Sequence, residues 1–175
     1  MEILGEFYEK DINGNESSGE VLYKVRKGAR AVLLNSSGEV AMMFATEKLY
    51  HKLPGGGVEK GENLRTALER EIREETGFGI SIWPEEVGAI IEYRDTDKLL
   101  QISYCFLADA AGEPEEPALT EEEKSQGFQL EWMKPEVAIE TLEDESPSEY
   151  FVQFIRQRDL LFLRSAKDII EKKKR

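Results

Sequence analysis

The sequence predicts an α/β layered domain. Three observations carry that prediction. Short apolar runs of strand length recur along the chain; a compact amphipathic helix sits in the middle, directly behind a glycine-rich stretch; and a long second amphipathic helix closes the chain. With 175 residues, 40% of them hydrophobic and 34% charged, the chain can bury a proper core, and residues 1–175 read as one domain without internal repeats.

In order, Ile3 to Glu9 and Val21 to Val25 read as short strands around DINGNESSG, a turn or loop by composition. Residues 1–28 are therefore expected to form a hairpin, an edge addition or a dimer arm. Ala29 to Leu34 and Val40 to Ala45 are apolar on both faces and flank Asn35-Ser36-Ser37-Gly38-Glu39, which predicts a hairpin of buried strands. Arg30 enters the first of these, either as a strand-end charge reaching solvent or as a contact to phosphate or base. Leu49 to Leu53 leads into the glycines. His51, the single histidine, reads as an exposed strand residue rather than an acid–base catalyst, because nothing near it in sequence is spaced to orient it. Tyr50 is a stacking surface or plain packing.

Beyond the central helix, Val87 to Tyr93 and Leu99 to Ala108 form a second strand pair around Asp95-Thr96-Asp97. Gln101, Ser103 and Cys105 share one face of the latter strand and could floor a pocket; Cys105 itself reads as inert packing. Residues 109–126 are an acidic loop in which Thr120 and Glu123 can form a capping box, with Glu121, Glu122 and Glu123 at a helix start. Phe128 to Met133 is a strand with Trp132 buried, and Pro135 to Leu142 a short helix. Ser146-Pro147-Ser148-Glu149 carries an N-cap, an N1 proline and a capping-box glutamate, so the closing helix is expected to start there and run to about residue 172. It packs on the sheet, with length to spare for a homodimer contact. The basic end Lys172 to Arg175 reads as a solubilising terminus.

The formal net charge of −13 argues against sequence-independent nucleic-acid binding, which needs clustered Lys and Arg. It also means that a polyphosphate would be repelled unless divalent cations bridged it to the protein. One cysteine excludes an internal disulfide framework, and no apolar run approaches the ~18 residues of a membrane span. With no signal peptide in evidence, a cytoplasmic location is the expectation.

The stretch Leu53 to Phe78, LPGGGVEKGENLRTALEREIREETGF, carries the chemistry. Asn63 reads as the N-cap, Leu64 opens the helix and Gly77 ends it. Advancing ~100° per residue from Leu64, Leu68 falls near ~40°, Ile72 near ~80° and Ala67 near ~300°, which defines a core stripe. Glu71 at ~340° and Glu75 at ~20° fall inside it, with Glu74 beside it at ~280°. Arg65, Thr66, Glu69, Arg70 and Arg73 take the wetter side. Like charges four apart repel, and desolvated carboxylates are costly unless paired, so a cation is implied; the alternative is a solvated helix with Arg70 and Arg73 as partners. Oxygen ligands without His or Cys suit Mg2+ or Mn2+ rather than zinc. Gly55, Gly56 and Gly57 allow the backbone close to a ligand, turning carbonyls toward metal and N–H groups toward phosphate.

Gly56, Glu62, Arg70, Glu71, Ile72, Glu74, Glu75, Gly77 and Phe78 meet every fixed position of G-x5-E-x7-R-E-U-x-E-E-x-G-U, with U a bulky apolar residue. In these 23 residues the chain resembles the Nudix hydrolases. The resemblance implies an α/β/α sandwich around a mixed sheet. It implies Mg2+- or Mn2+-dependent hydrolysis of a nucleoside diphosphate linked to another group, such as ADP-ribose, a nucleotide sugar, a nucleoside triphosphate or a dinucleoside polyphosphate. It further implies that Glu71, Glu74 and Glu75, with the Gly55 carbonyl, hold the metal, that Glu62 and Arg70 orient those carboxylates, and that a glutamate from 121–123 reaches the site. The substrate diphosphate would lie over Gly56 and Gly57, with Arg30 a further contact. Two rivals stand beside this: a non-catalytic nucleotide-binding module on the same fold, and an isomerase using Cys105, which sits in an ordinary strand.

Overall fold

A computed structural model describes residues 1–16 and 19–173. Ser17 and Ser18 of the expected N-terminal loop, and Lys174 and Arg175 of the basic end, lie outside the described residues. The strands are β1 (Ile3–Tyr8), β2 (Lys24–Leu34), β3 (Val40–Ala45), β4 (Tyr50–Lys52), β5 (Gly55–Gly57), β6 (Gly79–Arg94), β7 (Leu99–Ala111) and β8 (Phe128–Met133). The helices are α1 (Glu9–Asn13), α2 (Leu64–Thr76), α3 (Glu121–Ser125), α4 (Pro135–Asp144) and α5 (Tyr150–Lys173).

The eight strands form one mixed sheet in the order β1-β6-β7-β2-β3-β4, with β5 on β2 and β8 on β3. The pairs β1–β6 and β2–β7 are parallel and the others antiparallel. Two apolar layers sandwich the sheet. Ala67, Leu68 and Ile72 of α2 pack on Ala29, Ala31, Leu33, Phe106 and Ala108. On the other face, Ala138 and Leu142 of α4 and Phe162, Leu163 and Ala166 of α5 pack on Val32, Val40, Met42, Ile90 and Leu107. Leu68 and Ile72 are fully buried, each worth about 1.5–3 kcal/mol by area. This is the expected α/β/α sandwich. Among the described residues no helix is long and apolar enough to cross a membrane.

The β2–β3 hairpin forms as read, closed by Asn35 N–H to Glu39 O at 3.0 Å, but the two strands share only the register pair Leu34 and Val40. They then part company. β3 takes β4 at Met43–Ala45, while β2 takes β5 at Gly28–Arg30. The β4–β5 segment thus wedges into the fork between them, and the glycines expected as a loop become a three-residue strand. This fork positions the candidate site.

The structure departs from several sequence expectations. Of the alternatives open for residues 1–28, the edge addition is the one found: β1 joins β6 and β2 joins β7, and the two do not pair with one another. Glu9 leaves the strand for α1 and is buried, accepting from Thr96 N at 2.8 Å, Thr96 Oγ1 at 2.7 Å and Tyr150 Oη at 2.6 Å. The closing helix starts at Tyr150 instead of Ser146, because the Pro147 carbonyl accepts the Gln153 side-chain amide and the first helical bonds go to Glu149 O. Trp132 is half-buried, edge-on to Phe78 at 5.7 Å. β6 also runs well ahead of Val87; Pro84 and the irregular register between Ile82 and Gly88 mask its first half.

Candidate active site

Asn63 caps α2 as expected: its side chain accepts from Arg65 N and Thr66 N, both at 3.0 Å. Gly77, at φ 77°, ends the helix in the left-handed region and donates to Arg73 O. With both ends fixed, the carboxylates point where the helical wheel puts them. Glu75 is 3% exposed and the Glu71 side chain 15%, whereas Glu74, at the margin of the stripe, is 42% exposed.

Glu75 lies against the glycine strand, its Oε2 accepting from Gly55 N at 2.5 Å and its Oε1 from Lys52 Nζ at 2.7 Å. Burial pushes its pKa up, against the opposing charge of Lys52. Glu71 lies against Gly56: a Cβ built there would meet Glu71 Oε2 at 2.1 Å. Gly55 has φ 126°, and a Cβ would strike Ala29 O at 2.2 Å, so only glycine fits here.

Arg70 sits in the wet sector of the wheel but is half-buried, because it is the hub of the acids. Nε and Nη2 grip the two oxygens of Glu62, each at 3.0 Å; Nη2 also reaches Gly57 O at 3.0 Å; Nη1 bridges Glu71 at 2.8 Å and Glu74 at 3.2 Å. The guanidinium holds the Glu62 carboxyl below its usual range, and Glu62 in turn raises Arg70. Glu62 is further fixed by Glu59 N at 3.0 Å.

Arg70, Glu71, Glu74 and Glu75 line a cleft of about 480 Å3 with Arg26, Arg30, Lys52, Gly55 to Gly57, Glu59, Thr120 and Glu123, while Glu62 stands behind Arg70 outside the lining. Among the described residues Arg30 has a buried Nε without a hydrogen-bond partner, and its Nη1 makes a 3.3 Å contact to the Ala29 carbonyl. Burial and the nearby Arg158 push its pKa down to about 10. Of the late-loop acids only Glu123 reaches the cleft wall, its carboxylate held by Thr120 N and Oγ1, both at 2.9 Å, in the capping box. Glu121 pairs with Lys124 and Glu122 accepts from Gln126.

Among the described residues no three His, Cys, Asp or Glu side chains converge as a finished metal cage, because Arg70 and Lys52 engage the acids instead. The donor set itself is all oxygen and partly desolvated, which fits a hard divalent cation.

Sequence reasoning missed Lys52, although it lies three residues before Gly55 in a strand whose alternation sets it opposite His51. It also missed Asp159, a fully buried acid on α5 whose Oδ2 accepts Leu53 N–H at 2.9 Å and so anchors the approach to Gly55. The interruption of the α5 stripe by Arg158-Asp159 was its signal. His51 is not exposed: Nδ1 lies 2.6 Å from Glu145, Nε2 3.2 Å from Glu131, and the ring stacks on Phe44. It clamps β4 and takes no place in the cleft lining. Tyr50 is packing, edge-on to Phe128 and Phe151. Gln101, Ser103 and Cys105 are all buried and take no place in the lining of this cleft, and Cys105 joins the core on the α5 face of the sheet. Burial raises the Cys105 thiol, which leaves it unreactive.

The fold and site define a sandwich that presents clustered helix glutamates over a glycine strand. Comparison with known proteins places it. A family model of the NUDIX domain matches residues 24–154. A Pelagibacter ubique protein named RNA pyrophosphohydrolase is 34% identical over 88 residues, 49% of this chain and 56% of that protein. A Bacillus subtilis protein named putative 8-oxo-dGTP diphosphatase is 36% identical over 56 residues, 32% of this chain and 38% of that one. The match thus spans about half the length of these relatives or less. The solved MutT protein of Methanosarcina mazei Go1 superposes with a TM-score of 0.59 at 20% identity, over 85% of this chain and 98% of that one. The Ap4A hydrolase of C. elegans gives 0.57 at 18%, over 84% and 99%. The chain belongs to the Nudix family.

Proposed function

We propose that the protein hydrolyses the pyrophosphate bond of a nucleoside diphosphate linked to another group, with Mg2+ or Mn2+ as cofactor. The carrying observation is the placement of buried Glu75 and half-buried Glu71 against the backbone of Gly55 and Gly56, where clustered, partly desolvated carboxylates are stabilised by cations. Glu71, Glu74 and Glu75 would hold the ion with the Gly55 carbonyl. Bound there, a divalent cation acidifies water and screens charge on phosphoryl oxygens.

This chain's residues do the rest. Arg70, locked by Glu62, keeps Glu71 and Glu74 side by side. Arg30 and Arg26 offer guanidinium groups to the phosphates from β2, across a cleft lined by Gly56 and Gly57. A carboxylate takes the proton of the attacking water, either a helix glutamate or Glu123, the one late-loop acid on the cleft wall. The relatives' names favour substrates bearing a triphosphate, a free nucleotide or an RNA 5′ end. The charge-based exclusion of nucleic acid applies to track-like binding and not to a single terminus. A cytoplasmic setting agrees with the lone, buried thiol.

The test is hydrolysis across a panel of triphosphates, dinucleoside polyphosphates, nucleotide sugars, ADP-ribose and 5′-triphosphorylated RNA, with and without a chelator, with products identified. Chelator-sensitive release of a nucleoside monophosphate or of pyrophosphate is expected, and Glu75→Gln should lose at least ~10²-fold in rate. Silence across the panel with nucleotide binding intact would instead support a non-catalytic module.

A further inference from the structure

We infer that Lys52 is a resident counter-ion of the cleft: its ammonium holds the place on Glu75 that the divalent cation takes, and on giving it up Lys52 turns to the phosphates of the substrate. This deepens, and rests on, the divalent-cation reading above.

The partners of the acids divide unequally. Arg70 serves Glu62, Glu71 and Glu74 through five hydrogen bonds counting that to Gly57 O, and makes none to Glu75. Among the described residues Lys52 pairs with Glu75 alone. Of the two Glu75 oxygens, Oε2 is fixed by the N–H of Gly55, whose strand is pinned to β2. Only Oε1, held by Lys52 at 2.7 Å, is open to exchange for a cation. The two cations also differ in mobility. Arg70 is a planar fork gripped on several sides, whereas a lysine ammonium is a point charge on a rotatable stem. Its Nζ lies 4.6 Å from the Phe128 ring centroid, which keeps the swing local.

Charge balance points the same way. Four carboxylates, Glu62, Glu71, Glu74 and Glu75, face two cations, Arg70 and Lys52, leaving two negative charges for a divalent ion to neutralise. Once the ion is in place this group of charges is neutral overall, and the ammonium displaced from Glu75 is left without its carboxylate partner in the cleft. Across that cleft, Arg26 and Arg30 have no ion-pair partner among the described residues. Lys52 would join them as a third phosphate contact, so that taking up the metal prepares the cleft for substrate.

The experiment is titration of chelator-stripped protein with Mn2+ in the absence of substrate, following the free aquo ion by electron paramagnetic resonance. Imidodiphosphate binding to the Mn2+-loaded proteins is then measured by calorimetry. Lys52→Met, which keeps the stem over Phe128 but drops the charge, should bind Mn2+ on the order of tenfold more tightly than wild type. Lys52→Arg should bind it no more tightly than wild type. The loaded Met variant should bind imidodiphosphate more weakly. Lys52→Gln gives the same comparison should the Met variant not fold. Mn2+ affinity in the uncharged variants equal to or below that of wild type overturns the inference while leaving the metal reading intact. Failure of wild type and every variant to bind Mn2+ overturns both.

Discussion

Gly56→Ala tests the geometry at its tightest point. The new methyl would sit 2.1 Å from Glu71 Oε2, 2.3 Å from Cδ and 2.5 Å from Oε1, where a carbon–oxygen contact needs about 3.3 Å. Relief therefore takes a shift of at least about 1 Å. The strand cannot supply it, because Gly55, Gly56 and Gly57 are all in register with β2. Glu71 must turn away, breaking its 2.8 Å bond to Arg70. A misplacement of that size at a reacting centre costs about 10²-fold in rate, or about 2.7 kcal/mol of activation free energy. Overpacking costs about 1–3 kcal/mol of stability, so the protein should still fold. Gly57→Ala is the internal control. Its methyl would meet only the flexible tip of Arg26, at 3.1 Å, and it should lose far less. The assay is steady-state hydrolysis of the best panel substrate at saturating Mn2+, with thermal melting of both variants. A Gly56→Ala enzyme with wild-type turnover, or one no worse than Gly57→Ala, would refute the placement of Glu71 at the reacting centre.

Arg70→Lys should lower kcat by about 10–100-fold with a smaller change in KM, because one ammonium cannot hold Glu62 while bridging Glu71 and Glu74; a KM-dominated effect in steady-state kinetics would contradict this. Glu9 is subject to burial, but the hydroxyls of Thr96 and Tyr150 and the Thr96 N–H outweigh it and hold its pKa at about 2. Its stabilisation is complete above the ordinary value near 4.5 and is lost as pH falls toward 2, so Glu9→Gln should be less stable than wild type by about 2–3 kcal/mol at neutral pH, with the gap closing below pH 4 in urea melts. For His51, burial is outweighed by hydrogen bonds to Glu145 and Glu131 and the pKa is raised. That contribution is full below about 6.5 and fades as pH rises through the folded value, so His51→Gln should cost more at pH 5.5 than at pH 9; a constant difference would mean the ring acts by packing alone.

The α2 wheel was legible because a capped helix has one geometry: the positions of Leu68, Ile72, Glu71 and Glu75 follow from spacing alone. Arg70 departed from its wet sector because its long side chain folds back to Glu62, eight residues away, and a wheel does not see reach. The strands flanking the motif were legible as apolar runs, but their partners were not. Nothing local tells β1 to lie parallel to β6 across some 85 residues, or β5 to leave the β3 side for β2. Lys52, Asp159 and the His51 clamp stayed hidden for that reason. Each acquires its role from a partner brought in by tertiary packing, 23, 106 and 94 residues distant.

The forked sheet separates what can drift from what cannot. The Asn35–Glu39 turn lies at the closed end, beyond the shared pair of Leu34 and Val40, so lengthening it leaves the glycine wedge where it is. One residue inserted between Lys52 and Gly55 would do the opposite. It would break the Asp159 tether at Leu53 and slide Gly55 off Glu75 in a single step. Loop grafting for altered substrate choice therefore belongs on the Asn35 turn and the approach to Thr120, and nowhere along the four residues from Lys52 to Gly55.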